Sequence, residues 1–333
     1  MKGICYRNTH TKPMRGIGKD IHLSETLGFA FELPDTFVHL YGHETYFYTI
    51  QLGITVVTKK TGELVDWVVE WFGAEDIKPM DIEVGQAVEG VWRPGIAEFD
   101  DVLKALKCTE TDVHLSEQAL RILLNKLDDL LLYIEPDNQH LNVFSHMTRE
   151  LLILACTELE NGWKYYMDKG NVQPMNGRTY TTKDYVQLTT KLYLKDYQFI
   201  LRSYSNLPPI RPFESWHLAN PTVSIAWYDA YNKTKHDRGT HFSEATLWHA
   251  INAVVACMVI HCVRFSPFTM FNRNNTFSSI ANQHFICQLV GIEPNTFYLP
   301  PFTFSNVSWT APFVLDPRLY GYVKPFQTLP FQL

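Results

Sequence analysis

The stretch SEATLWHAINAVVACMVIHCVR, residues 243 to 264, constrains the fold more than any other part of the chain. Leu247, Ile251, Val254, Val255, Met258, Val259 and Cys262 recur at the spacing that stacks side chains on one face of an α-helix. The stripe is almost continuous, so this helix should be the most buried element. Two more helices are legible upstream. In SEQALRILLNKLDDLLLYIEP, leucines 120, 123, 124, 127, 130 and 131 with Ile134 make one broad apolar face. Ser116 is its expected N-cap and Pro136 its stop. FSHMTRELLILACTELENGWKYYM, residues 144 to 167, turns Met147, Leu151, Leu154, Ala155 and Leu159 to a core. Arg149, Glu150, Glu158 and Glu160 are left for ion pairs on the helix face, or, for Glu158, for a hydrogen bond to a facing helix. The short connection between the two helices favours an antiparallel hairpin.

Other segments are less regular. YFYTIQLGITVVTKKTGELVDWVVEWFG, residues 46 to 73, is rich in β-branched and aromatic residues. Its KKTGE turn predicts either strands or a strand followed by a helix. Pro79 and WRPG (92 to 95) read as connecting turns. Four prolines in SNLPPIRPFESWHLANP mark a loop, because proline removes a backbone donor. Helical pattern resumes near Val223 and runs to Asp237, with Gly239 as the break. The expected fold class is mainly α, an antiparallel helical bundle over residues 111–270. A mixed α/β region (1–110) precedes it, and an irregular, aromatic-rich C-terminal extension (271–333) packs on the core.

Composition narrows the function classes. With 46% hydrophobic and 19% charged residues, the chain is that of an ordinary soluble globular protein. A net charge of −6 argues against a general nucleic-acid coat protein, which needs a basic excess. No run of 18 apolar residues predicts a spanning helix, and the polar N-terminus lacks a signal-peptide core, so a cytoplasmic protein without membrane contact is expected. The six cysteines form no CxxC pair and read as reduced core residues. GIGKD (16 to 20) lacks the full phosphate loop, and no GxSxG elbow occurs. In HLYGHE, His39 and His43 beside Glu44 would form a metal-binding pair only on a helix, and no third ligand is evident. Neither metal nor cofactor is expected. The aromatic tail FYLPPFTFSNVSWTAPF (297 to 313) has rings that can stack bases but lacks interleaved basic residues, which favours packing or self-association.

The densest cluster of reactive side chains is WYDAYNKTKHDRGTHF, residues 227 to 242. On a helix, Asn232 and His236 share a face, and Asp229 adjoins Asn232. Cleaving RNA without metal requires a base, an acid and a cation near the phosphorane. An imidazole with an ordinary pKa of about 6.5 suits both proton transfers. Asn232 is placed to fix its tautomer or hold a phosphate oxygen, and Lys235 and Arg238 to stabilise charge. The same cluster also describes a solvated helix C-terminus, where each cation contributes about 0.3–1 kcal/mol.

Taken together, TRELLILACTELENGW, PPIRPFESW, AWYDAYNKTKHDR and the alanine- and valine-rich helix resemble the HEPN-like domains of uncharacterised bacterial proteins. The resemblance covers roughly residues 115 to 265. It implies a helical, often dimeric protein of toxin–antitoxin, abortive-infection or other antiviral systems. Many such proteins are metal-independent RNases whose signature is Arg, a polar residue, a short spacer and His in a dimer cleft. In YNKTKH, Asn232 takes the polar position and His236 the histidine, while Tyr231 stands where the arginine belongs. Arg211 to His217 offers a second Arg-x5-His spacing. The implied reading is an RNA endonuclease in which His236 is general acid/base and Asn232 orients it. Lys235 and Arg238 stabilise the phosphate, with Lys233, Tyr231 and Arg211 on the substrate. Implied partners are RNA, a second copy of the chain and an antitoxin or defence-system protein. The missing arginine and the acidic net charge support the alternative, a non-catalytic helical dimerisation or interaction module.

Overall fold

The structure is a computed structural model that describes residues 2–9, 27–43, 47, 49–204, 206–304, 313–315, 321–323 and 325–333. The chain divides into two compact units, residues 1–107 with 291–329, and residues 108–290 with 330–333.

The first unit opens with four antiparallel strands, β1 (Lys2–Arg7), β2 (Leu27–Leu33), β3 (Thr36–His43) and β4 (Thr49–Lys59). The KKTGE turn separates β4 from helix α1 (Leu64–Phe72). Then come β5 (Glu75–Glu83), β6 (Gln86–Val88) and helix α2 (Phe99–Leu106). β5 returns to pair with β1 as an edge strand. Pro79, expected in a turn, lies within it, where an edge tolerates the missing donor. Both sheet faces are covered. Phe29, Phe31, Val38 and Leu40 pack with Phe297 and Leu299, while Ala30, Phe37, Tyr41 and Val56 meet Trp67, Val68 and Phe72 of α1. His39 and His43 therefore belong to a strand, along which four residues span about 13 Å. His39 is wholly buried, stacked 3.7 Å from the Phe72 ring and hydrogen-bonded to the Tyr6 hydroxyl. Among the described residues no three His, Cys, Asp or Glu side chains gather to hold a metal. Glu44 and GIGKD lie outside the described residues.

The second unit contains α3 (Glu110–Leu131), α4 (His146–Lys169), α5 (Thr182–Tyr185), α6 (Leu188–Lys191), β7 (Tyr197–Leu201), α7 (Ala226–His236) and α8 (Arg238–His241). It continues with α9 (Leu247–Phe265), α10 (Pro267–Phe271), α11 (Thr276–His284) and β8 (Phe285–Leu289). α9 is the central helix, packed against α3, α4 and α7. Its length and mean hydropathy of 1.5 would suffice for a membrane span, but 83% of that window is buried within the protein, as in the core helix of a globular fold. α3 starts earlier than expected. Thr109 accepts from the Asp112 amide at 3.1 Å and the Asp112 carboxylate accepts from the Thr109 amide at 2.9 Å, a reciprocal capping box. Ser116 thus sits inside the helix. α4 has a similar box between Ser145 and Thr148. Its buried stripe runs through Leu151, Leu152, Ala155, Cys156, Leu159 and Trp163, leaving Met147 and Leu154 exposed. β7 and β8 form an antiparallel pair, Tyr197 opposite Leu289.

The tail, expected as an irregular extension, holds β9 (Phe302–Phe304), β10 (Phe313–Leu315), β11 (Gly321–Val323) and β12 (Gln327–Leu329). β10 pairs with β4 and completes a six-stranded antiparallel sheet of order β10-β4-β3-β2-β1-β5, while β12 runs parallel to β6. Tyr298 is locked by Gly95, whose φ of +113° suits only glycine and whose Cβ, if present, would lie 1.9 Å from the Tyr298 carbonyl oxygen. The fold class is therefore mixed α/β and not mainly α, because a covered sheet and its own two-sided core form one whole unit. All six cysteines are free, and all but the half-buried Cys108 are buried.

Candidate functional site

α7 forms because Trp227, Ala230, Tyr231 and Thr234 recur three and four residues apart and bury one face against α4 and α9. The Trp227 indole donates to the Pro212 carbonyl at 2.9 Å, and the Tyr228 hydroxyl donates to Glu160 at 2.6 Å. Glu160 is thus the α4 carboxylate that grips α7, whereas the sequence offers such a bond only for Glu158, as the alternative to an ion pair. Arg149 donates from Nη2 to the Thr234 carbonyl at 2.9 Å, satisfying a carbonyl of the last turn. The helix stops at Asp237, two residues before Gly239. Asp237 then accepts from the Thr240 amide at 3.1 Å and caps α8, which holds its carboxyl below the usual range.

The sequence-predicted residues separate here. Tyr231, at the arginine position of the motif, has 0% exposure. Burial raises its phenol above the ordinary value, and its oxygen accepts from Lys235 Nζ at 2.7 Å. That hydrogen bond raises the Lys235 ammonium in turn. Lys233 lies between Asp229 at 2.9 Å and Glu244 at 3.1 Å, and those bonds raise its pKa. Arg238 places its guanidinium 5.8 Å from the Phe242 ring centroid. Asn232 is half-buried and His236 is exposed at the helix end. Arg211 is held by Glu214 and by the Lys195 carbonyl, neither of them on α7, and its turn is not helical. Its motif partner His217 lines a cleft of about 490 Å³ with Gln187, Tyr193 and Trp216. Around the end of α7, Lys233, Lys235, Arg238 and Arg149 stand with Asp229, Asp237, Glu244 and Glu160, so charges of both signs gather there.

A second polar constellation, absent from the sequence reading, lines a cavity of about 200 Å³ between α3, α4 and α9. His261 Nδ1 lies 2.9 Å from Ser116 Oγ, and Nε2 lies 3.2 Å from Thr269 Oγ1. Thr269 gives its single hydroxyl hydrogen to the Ser266 carbonyl at 2.7 Å, so it accepts from Nε2–H. Nδ1 is then the acceptor, and Ser116 donates to it. Ser266 supports this chain from a strained position, φ +84° for a non-glycine residue. Burial pushes the His261 pKa down to about 3, with Arg264 and Arg273 adding to the effect. A serine nucleophile needs a base that can hold its proton, and no carboxylate backs this imidazole. The Ser116–His261 pair therefore orients a hydroxyl without activating it. Arg264 pairs with Asp112 at 3.1 Å and lies 3.9 Å over the Tyr165 ring.

Compared with protein-family models, curated proteins and solved structures, the chain matches none.

Proposed function

We propose that the protein is an interaction module whose helical unit carries a degenerate HEPN-like motif, with the end of α7 as a contact surface for a second copy or a partner protein. One observation carries this reading. The residue at the arginine position, Tyr231, is wholly buried and uncharged, its oxygen accepting from Lys235, so that position offers no cation to a phosphate. The mixed charge around the helix end supports protein contact, since rim charges of both signs set register and orientation. A cytoplasmic location and a defence or toxin setting belong to the proposal through the family resemblance.

The second reading is a metal-independent endoribonuclease centred on His236. It is favoured by the joint exposure of His236, Lys235 and Arg238 at one helix end, which a dimer would double. Incubating the purified protein with mixed RNA in EDTA, beside His236→Ala, separates the two. Intact RNA with both proteins, across several salt concentrations, is the expected result. Fragments ending in 2′,3′-cyclic phosphate that vanish in the variant would establish the nuclease and overturn the interaction module.

A further inference from the structure

The chain between α4 and α7, residues 170–225, carries six lysines and arginines against three aspartates and glutamates, in a protein of net charge −6. Two of those three acids are already engaged. Asp184 is wholly buried and accepts from the Met175 and Thr181 amides, each at 2.8 Å, and Glu214 pairs with Arg211. Lys183, Lys191 and Lys195 are exposed, and among the described residues no carboxylate pairs with them. The chain turns at Tyr193, whose φ of +52° is unfavourable for a bulky non-glycine residue. Thr190 before that turn and Lys195 after it line the same cleft of about 490 Å³, together with His217. His217 is exposed, and its ring makes no hydrogen bond among the described residues. Asp196 lines the cleft too, so Lys195 alone would be balanced there. Lys191 directly follows Thr190, however, and Lys183 stands four residues before Gln187 of the same wall, which leaves positive charge in surplus. A concave wall with one sign in excess concentrates counter-ions. Apolar surface comes from Val186 and from Leu218, which is 67% exposed.

We propose that this cleft is a binding site for a small phosphate monoester carried on a compact apolar body. Such a phosphate has about −1.5 to −2 charges near neutral pH and accepts from several donors at once. The Lys195 ammonium, a His217 N–H and the Thr190 hydroxyl are the donors of the wall, and Lys183 and Lys191 add their field. Asp196 sets one negative charge against these three ammonium groups, so a dianion is still attracted. The apolar body covers Val186 and Leu218, which inorganic phosphate alone would leave in water. The volume falls within the roughly 300–1,000 Å³ of small-molecule sites. None of these residues belongs to α7, so the site stands whether or not RNA is cleaved.

The test titrates the full chain at pH 7.5 and constant ionic strength with phenyl phosphate, phenol and inorganic phosphate, read by calorimetry and by amide chemical shifts. Saturable binding of phenyl phosphate is expected, about tenfold or more tighter than either other compound, with shift changes at Thr190, Lys195 and His217. Lys195→Gln should weaken it about tenfold or more, and His217→Gln should weaken it as well. Lys126→Gln removes the same charge from α3, where Lys126 is paired with Glu150 at 2.6 Å, and should leave binding unchanged. Circular dichroism checks that each variant is folded. If Lys195→Gln fails to fold, the ranking of the three compounds on the unmodified chain still decides the matter. Absence of saturable phenyl phosphate binding, an affinity no higher than that of phenol or of inorganic phosphate, or a Lys195→Gln variant that binds as before would each overturn the proposal.

Discussion

Acidification should weaken the helical unit through His261, and the size of the effect follows from its surroundings. The imidazole is wholly buried, and its folded pKa is pushed down to about 3 from an ordinary 6.5. Between these values the unfolded chain binds a proton that the folded chain refuses. Stability therefore rises with pH across that window, is flat above it, and is lost as pH falls below 6.5. Taking the unfolded value as 6.5, the loss from pH 7.5 to pH 5.0 is about 2 kcal/mol from this one group. His261→Gln keeps a donor and an acceptor but cannot titrate. Urea unfolding followed by helical circular dichroism at both pH values, in both proteins, gives a double difference in which other groups cancel. The unmodified protein should lose about 2 kcal/mol more than the variant. Equal losses, within roughly 0.5 kcal/mol, would refute the buried neutral imidazole.

Two further perturbations test other parts of the structure. Gly95→Ala combines a φ of +113° with a Cβ placed 1.9 Å from the Tyr298 carbonyl oxygen, so it should destabilise the first unit by about 2 kcal/mol or more in thermal unfolding. A melting temperature unchanged from the parent would contradict that close approach. Tyr231→Arg restores the family arginine in sequence but puts a guanidinium into a site of 0% exposure beside Lys235. It should cost about 3–5 kcal/mol and yield no nuclease. A stable, RNA-cleaving variant would mean that position 231 reaches the surface.

The helical unit was partly legible because α4 and α9 carry long apolar stripes at a helical period, and Ser145 stands where a cap belongs. α3 was misread at its start. The Thr109–Asp112 capping box was the stronger signal, and Ser116 attracted attention only as a capping residue type. The sheet resisted reading for a physical reason. With both faces covered, Leu27–Leu33 and Thr36–His43 bury consecutive residues, and the polar–apolar alternation that marks a half-exposed strand is lost. At the candidate sites, local spacing found the α7 cluster but not its burial, which placed Tyr231 inside. The α3–α4–α9 cavity joins Ser116 to His261 across 145 residues, a pairing that no local motif encodes. One clue was present. A histidine inside the most apolar helix must find polar partners, and residue 261 marked a buried network.

The chain leaves the first unit at residue 107 and returns to it at 291. On the ribosome this ordering imposes a delay. At about 5–20 residues per second, the roughly 180 residues in between take on the order of 10–40 s to make. During that interval β1 to β5 exist without Phe297 and Leu299, which close one face of their sheet, and without β10, which covers the free edge of β4. Nearly all of the helical unit can fold while its neighbour waits with an apolar face and a strand edge open. A nascent chain stalled near residue 290 would thus be the species most in need of a chaperone.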